Sequence, residues 1–429
     1  MGFWKKTVKE YDLRGKSVLV RVDYNVPIKN GKITDDYRIE KSLPTLQFLL
    51  EQDCKLILIS HLGRPKDAHD TDCSLKPCAE RLEKLLHKNV QFVSDCVGEA
   101  AEKAAKALQP GQVLLLENLR FHPEEEKNDD EFAKKLASLA EVFVQDGFGV
   151  VHRAHASTEA VAHHLPSLAG LLLEKEVDTI TNAIDNPQRP LMTIIGGAKI
   201  SDKIDILNRF IDIADFVAVG GAMANTFLLA EGIKIGESLA EKDEVPLAKD
   251  IIEKAKQKAK NQRFVFYIPQ DGVVSKELDG STQTRIVDWD AHVIAQVENY
   301  PKRPGRETGE VAADESILDI GPFSGAFIAG GIQMAGTVIW NGAMGVTETK
   351  GKQGPVGPFA HGTETVVEAL LGEFGTKPFT VLGGGDTVGF IEDRKLTDSF
   401  NHVSTGGGAS LELMSGKSLP GVEVLWNKD

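Results

Sequence analysis

The sequence is poor in cysteine, and the few cysteines it has are not arranged as a metal or redox motif. All four, at positions 54, 73, 78 and 96, lie in the first quarter of the 429 residues, and no two form a C-x-x-C pair. A structural zinc site or a dithiol redox site is therefore not predicted. Free thiols of a reducing cytosol are the expected state.

Long apolar runs are also missing. No run approaches the roughly 18 residues that a membrane-spanning helix needs, and the N-terminal stretch MGFWKKTVKEY has no apolar core of the kind found in signal peptides. We therefore expect a cytoplasmic protein without a membrane partner.

An excess of positive charge is absent as well. There are 49 Lys and Arg against 63 Asp and Glu, for a formal net charge of −14. This balance argues against nucleic acid or an anionic membrane as a partner. It also means that a local cluster of arginines calls for a specific explanation, such as a small anionic substrate.

The residues that are present predict an α/β protein of two domains. Short, nearly continuous apolar runs alternate with helical patterns, which is typical of parallel strands buried on both faces. The fold predicted is two doubly wound, Rossmann-like parallel-sheet domains joined by a hinge helix. The predicted strand runs are 17–22, 55–60, 112–117 and 141–146 in the first half, and 191–195, 216–219, 263–268, 337–340 and 379–382 in the second.

Domain boundaries follow from the stretch between the two halves. Residues 168–185 are predicted to form one long helix, ended by Asp185, Asn186 and Pro187. The predicted division is an N-terminal domain of 1–167 plus about 409–429, an interdomain helix of 168–187 and a C-terminal domain of 188–408. The Pro- and Gly-rich stretch 299–310 is predicted to be a surface loop.

Cationic side chains follow the strands of the first half. Ligands of open α/β sheets bind beyond the carboxyl ends of the strands, so these side chains are predicted to converge on one face, and arginine forks suit phosphate and carboxylate. The alternative is that each is a solvated surface residue. The residues concerned are Arg38, His61, Arg64, Arg120 and Arg153.

Glycines follow the strands of the second half instead. They occur in GGAK (196–199), GGAM (220–223), NGAMG (341–345), GGGDT (383–387) and STGGGA (404–409). Glycine lets the main chain approach a ligand, and helix N-termini attract anions, so these turns favour nucleotide phosphates. A single glycine turn would be weak evidence, because glycine also serves to close tight turns.

The GGGDT stretch combines bare backbone with one carboxylate and one hydroxyl. Gly384 and Gly385 are predicted to expose amides, Thr387 to donate to a phosphate oxygen, and Asp386 to hold Mg²⁺, a cation that prefers oxygen ligands. The alternative is that Asp386 or Thr387 merely caps the following helix.

Lys199 and Lys203 stand four residues apart, a spacing that places them on one face if the segment is helical. Two like charges there favour an anion between them, and phosphate is the obvious one. A solvated lysine pair is the alternative. Neither G-K-S stretch (15–17 and 416–418) fits a P-loop, and no G-x-G-x-x-G follows a strand, so a dinucleotide enzyme is disfavoured.

Read together, these motifs resemble the phosphoglycerate kinase family in order and over nearly the whole chain. The matching stretches are RVDYNVP (21–27), SHLGRP (60–65), LLENLRFH (115–122), HRAH (152–155), GGAK with SDKI (196–204), WNGAMGV (340–346) with Glu348, GGGDT (383–387) and HVSTGGGASLE (402–412). The resemblance implies reversible transfer of a phosphoryl group between 1,3-bisphosphoglycerate and ADP. The products are 3-phosphoglycerate and ATP, with Mg²⁺ as cofactor and a monomer as the expected state.

The resemblance also assigns roles to residues. Arg38 and Lys199 would flank the transferred phosphoryl group, and Asp386 would hold the metal. The triose would be bound by Asp23, Asn25, Arg38, His61, Leu62, Gly63, Arg64, Arg120 and Arg153. The nucleotide would be bound by Lys203, Gly221, Asn341, Glu348, Gly384, Gly385, Asp386 and Thr387, with Gly406, Gly407 and Gly408 as a phosphate and transition-state loop.

Four positions depart from the family pattern. Ala343 and Met344 stand where Pro-Val is usual, Thr347 where Phe is frequent, and Ala222 where Gly is common. All four are expected near the adenosine pocket, so the fit of the nucleotide base is where this chain should differ.

The reaction requires no general base, because the accepting carboxylate is already ionised at neutral pH. Positioning and fixed positive charge suffice, and the two ligands on separate domains imply domain closure that excludes water. Two other classes share parts of this pattern. An anion-binding protein of two lobes would not need the glycine turns, and a dehydrogenase would need a dinucleotide fingerprint.

Overall fold

A computed structural model describes residues 2–67, 70–289, 293–295, 308–350 and 356–428. The chain divides into two compact units. One comprises Met1–Thr179 with Lys417–Asp429, and the other comprises Ile180–Gly416.

The first unit is built on a parallel sheet with the strand order β5-β6-β4-β1-β7-β8. Its strands are β1 (Ser17–Arg21), β4 (Lys55–Ile59), β5 (Val90–Val93), β6 (Val113–Leu116), β7 (Val142–Gln145) and β8 (Ser167–Ala169), with β2 (Ile28–Lys29) and β3 (Lys32–Ile33) forming a separate small hairpin. Its helices before the connecting one are α1 (Tyr37–Leu50), α2 (Lys76–Leu86), α3 (Glu99–Ala107) and α4 (Asp130–Ala137).

The strands of this sheet are largely apolar, and its inner strands are covered on both faces. Every residue of β6 and of β7 is buried, as expected for parallel strands between helices. Consequently only the strand ends are open to a ligand.

Helix α5 (Leu171–Asp185) connects the two units. It begins later than the predicted residue 168, because Ser167–Ala169 instead pairs with β7 as the outer strand β8. The side chain of Asp146 accepts hydrogen bonds from the backbone N–H groups of Leu172 and Leu173, at 3.0 and 3.4 Å, and so holds the first turn of α5.

The second unit contains a larger sheet with the order β14-β11-β10-β9-β16-β17-β18, parallel except for β14. Its strands are β9 (Leu191–Ile195), β10 (Phe216–Val219), β11 (Val265–Tyr267), β14 (Val293–Ala295), β16 (Thr337–Asn341), β17 (Phe379–Gly383) and β18 (His402–Val403). A small antiparallel sheet contains β12 (Asp271–Ser275), β13 (Arg285–Asp288) and β15 (Ser316–Ile320).

The helices of this unit are α6 (Ile204–Ile213), α7 (Gly221–Ala230), α8 (Val245–Asn261), α9 (Pro322–Met334), α10 (His361–Leu371), α11 (Gly385–Asp393) and α12 (Gly407–Met414). The predicted fold class, two α/β units on parallel sheets, is thereby confirmed.

The chain ends in the first unit, where a short helix α13 (Pro420–Glu423) is followed by a bridge between Lys5 and Asn427. The returning segment starts at Lys417, later than the sequence-based boundary near 409, because α12 belongs to the second unit. The loop predicted at 299–310 lies, up to residue 307, outside the described residues.

Candidate active site

The polar residues predicted to bind a ligand in the first unit follow strands of its sheet, at the carboxyl ends of those strands. Strands β6, β4, β1 and β7 are neighbours and run parallel, so the residues that follow each of them emerge side by side. Asp23 follows β1 and His61 follows β4, and Arg120 lies in a short 3₁₀ turn after β6.

Asp23 is buried and holds Arg38 from the first turn of α1. Nη1 of Arg38 lies 2.8 Å from Oδ2 of Asp23, and the side chain of Arg38 keeps 30% of its surface exposed. Asn25 links this pair to the next loop, because its Oδ1 accepts a 2.9 Å hydrogen bond from the N–H of Gly63. The arginine is therefore oriented at its inner side and open at its outer side.

His61 is surrounded by positive charge. Its pKa lies well below the usual value, first because the ring is buried and then because Arg21, Arg120, Arg38 and Arg153 act on it. The imidazole is therefore neutral, and three of the arginines predicted to converge do so around it. Arg21 was not among the predicted site residues, because the sequence does not show that the side chain of an arginine in an apolar strand faces the site.

Arg120 has capacity for one more anionic partner. Its Nη1 donates to the carbonyl of Gly63 at 2.7 Å, and its Nη2 lies 2.9 Å from Glu126, but its buried Nε has no partner among the described residues. Burial lowers its pKa most, and the neighbouring Arg153 and Arg64 lower it further, against Glu126. Such a group gains from a bound anion.

The remaining predicted residues of this unit differ in exposure. Arg64 is exposed and Arg153 is half-buried, with its Nε 3.1 Å from Nε2 of His152. The backbone N–H of Leu62 donates to Oδ1 of Asn118 at 3.1 Å. Gly63 has a φ of +61°, a conformation that favours glycine.

The glycines of the second unit also lie along one sheet edge. Strands β10, β9, β16, β17 and β18 are consecutive neighbours and parallel. Glycine directly follows the first four, and Gly406 follows β18 after two residues. The turns pack backbone against backbone: a Cβ on Gly196 would lie 2.0 Å from the carbonyl oxygen of Ala343. Gly221 has a φ of +63°, and a Cβ there would lie 2.6 Å from Gly197. Side chains are therefore excluded between these turns.

Lys203 extends into this glycine-lined edge. Its Nζ donates a 2.6 Å hydrogen bond to Oδ1 of Asn341 at the end of β16. Burial lowers the pKa of this lysine to about 8, although Asp386 and Asp202 act in the opposite direction.

Lys199 and Lys203 do not belong to one helix, so the condition for their sharing a helix face is not met. Helix α6 begins at Ile204 after a 3₁₀ turn of Ser201–Lys203, and Lys199 precedes both in irregular backbone. Lys199 is exposed, whereas Lys203 is half-buried. The four-residue spacing alone did not reveal where the helix begins.

The GGGDT stretch forms the turn from β17 into α11. Asp386 is exposed in the first turn of this helix. Thr387 is buried, and its hydroxyl accepts a 2.7 Å hydrogen bond from the N–H of Gly342, so it fixes the turn after β16 instead of capping α11. Gly384 has a φ of +88° and lies against the side chain of Asn341; Gly385 is exposed.

The later glycine run lies beside this turn. Helix α12 begins at Gly407, between Gly406 and Gly408. A Cβ on Gly407 would lie 3.7 Å from the backbone nitrogen of Gly385. The N-terminal turns of α11 and α12 thus lie together, and both present amides, which favours anions.

A pocket of about 240 Å³ adjoins these turns, and it is lined by Gly221, Glu348 and Asp386 among others. The four positions that depart from the family pattern, Ala222, Ala343, Met344 and Thr347, line it too. The sequence differences therefore lie in the wall of one pocket.

Two buried carboxylates that the sequence reading missed also line this pocket. Asp271 accepts hydrogen bonds from the N–H groups of Phe323 and Ser324 at the start of α9. Asp319 accepts from the N–H of Gly362 in α10, and burial raises its pKa to about 8. An acid directly after an apolar run, as in PQD and ILD, was the available signal.

Comparison with known proteins agrees with this geometry. Residues 8–417 match the family described as phosphoglycerate kinase. The chain belongs to the phosphoglycerate kinase family. It is similar to the phosphoglycerate kinase of Moorella thermoacetica, at 47% identity with 99% of this chain and 100% of the relative covered. It is also similar to that of Dictyoglomus turgidum, at 44% identity with the same coverage.

Solved structures of the family are similar as well. The phosphoglycerate kinase of Coxiella burnetii gives a TM-score of 0.80 at 37% identity, and that of Pyrococcus horikoshii gives 0.81 at 29%; both comparisons cover 98% of each chain. The chain is accordingly a kinase of glycolysis, a phosphotransferase whose acceptor is a carboxyl group. Within the described part of the chain, no helix is long and apolar enough to cross a membrane.

Proposed function

We propose that the first unit binds 3-phosphoglycerate and 1,3-bisphosphoglycerate at the arginines around His61. The observation that carries this proposal is the charge imbalance there: Arg38, Arg120 and Arg153 all act on a buried, neutral imidazole, and a buried nitrogen of Arg120 has no partner among the described residues. A small ligand with carboxylate and phosphate groups would neutralise the excess positive charge and accept a hydrogen bond from that arginine nitrogen. Asp23 and Asn25 orient Arg38 and the Gly63 loop.

The second unit is proposed to bind ADP and ATP. The base and ribose fit the pocket bordered by Gly221 and Glu348, with Asn341 at its phosphate side. The phosphates are proposed to meet Lys203, the amides of Gly384 and Gly385, and those of Gly406 to Gly408. Thr387 supports this site by fixing the turn after β16.

Asp386 is the residue proposed to hold Mg²⁺. Its carboxylate is exposed, and no side chain in the described part of the chain donates a hydrogen bond to it, so its oxygens suit a hard cation that is also coordinated by phosphate. Such an ion neutralises charge on the phosphates. We expect Asp386→Asn to raise the Mg²⁺ concentration needed for half-maximal turnover. Asp393→Asn, on the same helix, should leave that concentration unchanged.

The chemistry needs position and charge more than proton transfer. The attacking oxygen of 3-phosphoglycerate is ionised at neutral pH. Arg38 and Lys199 are proposed to flank the phosphoryl group in transit, where fixed positive charge stabilises its equatorial oxygens.

Because the two ligands are proposed to bind to different units, we propose that they meet by closure at α5, the helix that connects the units. Closure protects the acyl phosphate from water. The radius of gyration measured by small-angle scattering should fall when both ligands are added. No change with both ligands present would contradict closure.

We also propose a cytoplasmic monomer with no nucleic-acid or membrane partner, from the acidic charge balance. Sedimentation velocity at micromolar concentration tests the oligomeric state, and a dimer peak would overturn it.

A coupled assay tests the function directly. Turnover should require ATP, 3-phosphoglycerate and Mg²⁺ together, and Arg38→Ala should lower kcat by about 10³-fold or more, as for other arginines that contact a transferred phosphoryl group. Arg14→Ala, a change at an exposed arginine outside the site, is the matched control. Full activity of Arg38→Ala would remove its assigned role.

A further inference from the structure

Three potential metal ligands meet at the edge of the first sheet, where β5 and β6 lie side by side. Asp95 and Cys96 lie in the loop between β5 and α3, and His122 follows the 3₁₀ turn after β6. Because β5 and β6 are adjacent and parallel, their following loops emerge together. Sequence spacing could not show this, because the residues belong to two separate loops.

The three side chains point at one another. One ligand atom of each, a carboxylate oxygen, the thiol sulfur and a ring nitrogen, lies within 4.8 Å of the other two. Nε2 of His122 lies 2.7 Å from Oδ1 of Asp95. Phe132 of α4 packs against the imidazole, with ring centroids 5.3 Å apart. The imidazole is therefore held in place by packing as well as by the carboxylate.

We propose that Asp95, Cys96 and His122 bind a divalent cation of the zinc class. Oxygen, thiolate sulfur and imidazole nitrogen together are a donor set that zinc accepts, at about 2.0 to 2.3 Å per bond. Mg²⁺ takes oxygen ligands and does not compete for sulfur and nitrogen. The small inward shift needed falls on Asp95 and His122, whose side chains are 47% and 29% exposed.

The partial exposure of two ligands leaves room for a fourth, from water or a solute. Three protein ligands with one open position are the pattern of zinc sites that exchange a ligand. The buried thiol of Cys96 completes the donor set beside the partly exposed carboxylate and imidazole. Because zinc binds the thiolate, a bound ion replaces the thiol proton, and affinity should rise with pH.

The site is separate from the magnesium site proposed above. Asp386 belongs to the second unit, whereas this cluster belongs to the first. Binding of zinc should therefore persist in a large excess of Mg²⁺ and without nucleotide, which would itself chelate zinc. These are the conditions under which the site is best measured.

Equilibrium dialysis of the full chain, freed of metal and nucleotide, against Zn²⁺ in excess Mg²⁺ tests the proposal. We expect one ion per chain. Loss of a direct ligand should exceed the 10- to 100-fold loss that follows removal of an outer partner, so Cys96→Ser and His122→Asn should each weaken binding by more than about 100-fold. Co²⁺ should give a sulfur-to-metal charge-transfer band that disappears in Cys96→Ser.

Cys73→Ser removes another free thiol of the same unit and is the matched control that should bind as the wild type does. Circular dichroism checks that each variant folds. If Cys96→Ser, at a buried position, does not fold, the variants at the partly exposed Asp95 and His122 still test the proposal. The proposal is overturned if the wild type does not bind zinc stoichiometrically, or if Asp95→Asn and His122→Asn bind zinc as tightly as the wild type does.

Discussion

Lys203 and Asn341 form a hydrogen bond in which the ammonium group of a half-buried lysine has, among the described residues, a neutral amide as its partner. The distance from Nζ to Oδ1 is 2.6 Å, Asn341 is 2% exposed, and the Nδ2 of Asn341 has no partner among the described residues. Charge and hydrogen-bonding capacity are thus left available at the end of β16, where the nucleotide phosphates are proposed to bind.

Because of the lowered pKa of Lys203, we expect the affinity for ADP to depend on pH. The pKa of Lys203 is lowered to about 8 by burial, so the ammonium is charged below that pH and neutral above it. Phosphate binds the charged form, and affinity for ADP should fall as pH rises through 8. Lys203→Met should weaken binding by about 1.5–3 kcal/mol, the range for a hydrogen bond to a charged group, and should remove the pH dependence.

Isothermal titration of ADP on both sides of pH 8 measures this effect. Lys249→Met is the control, because Lys249 is exposed on α8, outside the proposed nucleotide site, and its loss should leave the pH profile unchanged. A wild-type affinity that stays constant across this range would argue against phosphate contact by Lys203.

Asp23 and Arg38 offer a test of positioning. Because Asp23 holds Nη1 of Arg38 at 2.8 Å, Asp23→Ala should lower kcat/KM for 3-phosphoglycerate by releasing the arginine. The same change should have little effect in an Arg38→Ala background, since contacting residues are coupled by about 0.5–3 kcal/mol. Steady-state kinetics of the two single variants and the double variant give the coupling, and strict additivity would mean that Asp23 acts independently.

Much of this site was predictable from the sequence, because parallel strands fix where their following loops emerge. The nine apolar runs contain strands of the structure, and three of the predicted arginines, Arg38, Arg120 and Arg153, lie near His61. What alternation cannot show is the direction of a side chain. The hydroxyl of Thr387, predicted to donate to phosphate, also accepts a hydrogen bond from the N–H of Gly342, and Lys199 precedes the helix that begins at Ile204.

Other features depend on contacts between residues far apart in the chain. Strands β12 and β15 pair antiparallel, and Asp271 and Asp319 lie next to the nucleotide pocket only because of that small sheet and the helices that it meets. Similarly, the shift of the α5 start to Leu171 follows from the pairing of β8 with β7. Local propensity carries no information about such partners.

Alanine substitution of two glycines distinguishes a glycine that close backbone packing requires from a glycine that lies within a helix with space around it. Gly221 has a φ of +63°, and a Cβ there would lie 2.6 Å from the backbone of Gly197, so Gly221→Ala should destabilise the chain by about 1–3 kcal/mol and impair nucleotide binding. Gly389 lies within α11, and a Cβ there meets nothing within 4 Å. Gly389→Ala should stabilise the chain by roughly 0.5–1 kcal/mol.

Thermal unfolding and ADP titration of these two variants distinguish the roles. If Gly221→Ala bound ADP as well as Gly389→Ala does, the close packing of the two turns would have no part in the nucleotide site.

Asp146 should make stability depend on pH through its contact with α5. Its Oδ1 accepts hydrogen bonds from Thr45 of α1 and from the first turn of α5, at 2.9 and 3.0 Å, and burial raises its pKa to about 7. In the unfolded chain an aspartate titrates near about 3.9. Between these two values the folded state keeps a proton that the unfolded state releases, so the stabilisation is complete at low pH and is lost as pH rises to 7.

Asp146→Asn cannot ionise and should lack this part of the pH dependence. Relative to the wild type, the variant should therefore gain stability steadily from about pH 4 to pH 7, the window set by the unfolded value and by the raised pKa of Asp146. Urea midpoints measured at both ends of the window test this, with the exposed Asp393→Asn as control. Parallel midpoints in wild type and Asp146→Asn would show that the buried acid is ionised throughout, and that α5 is held by a carboxylate and not by a carboxylic acid.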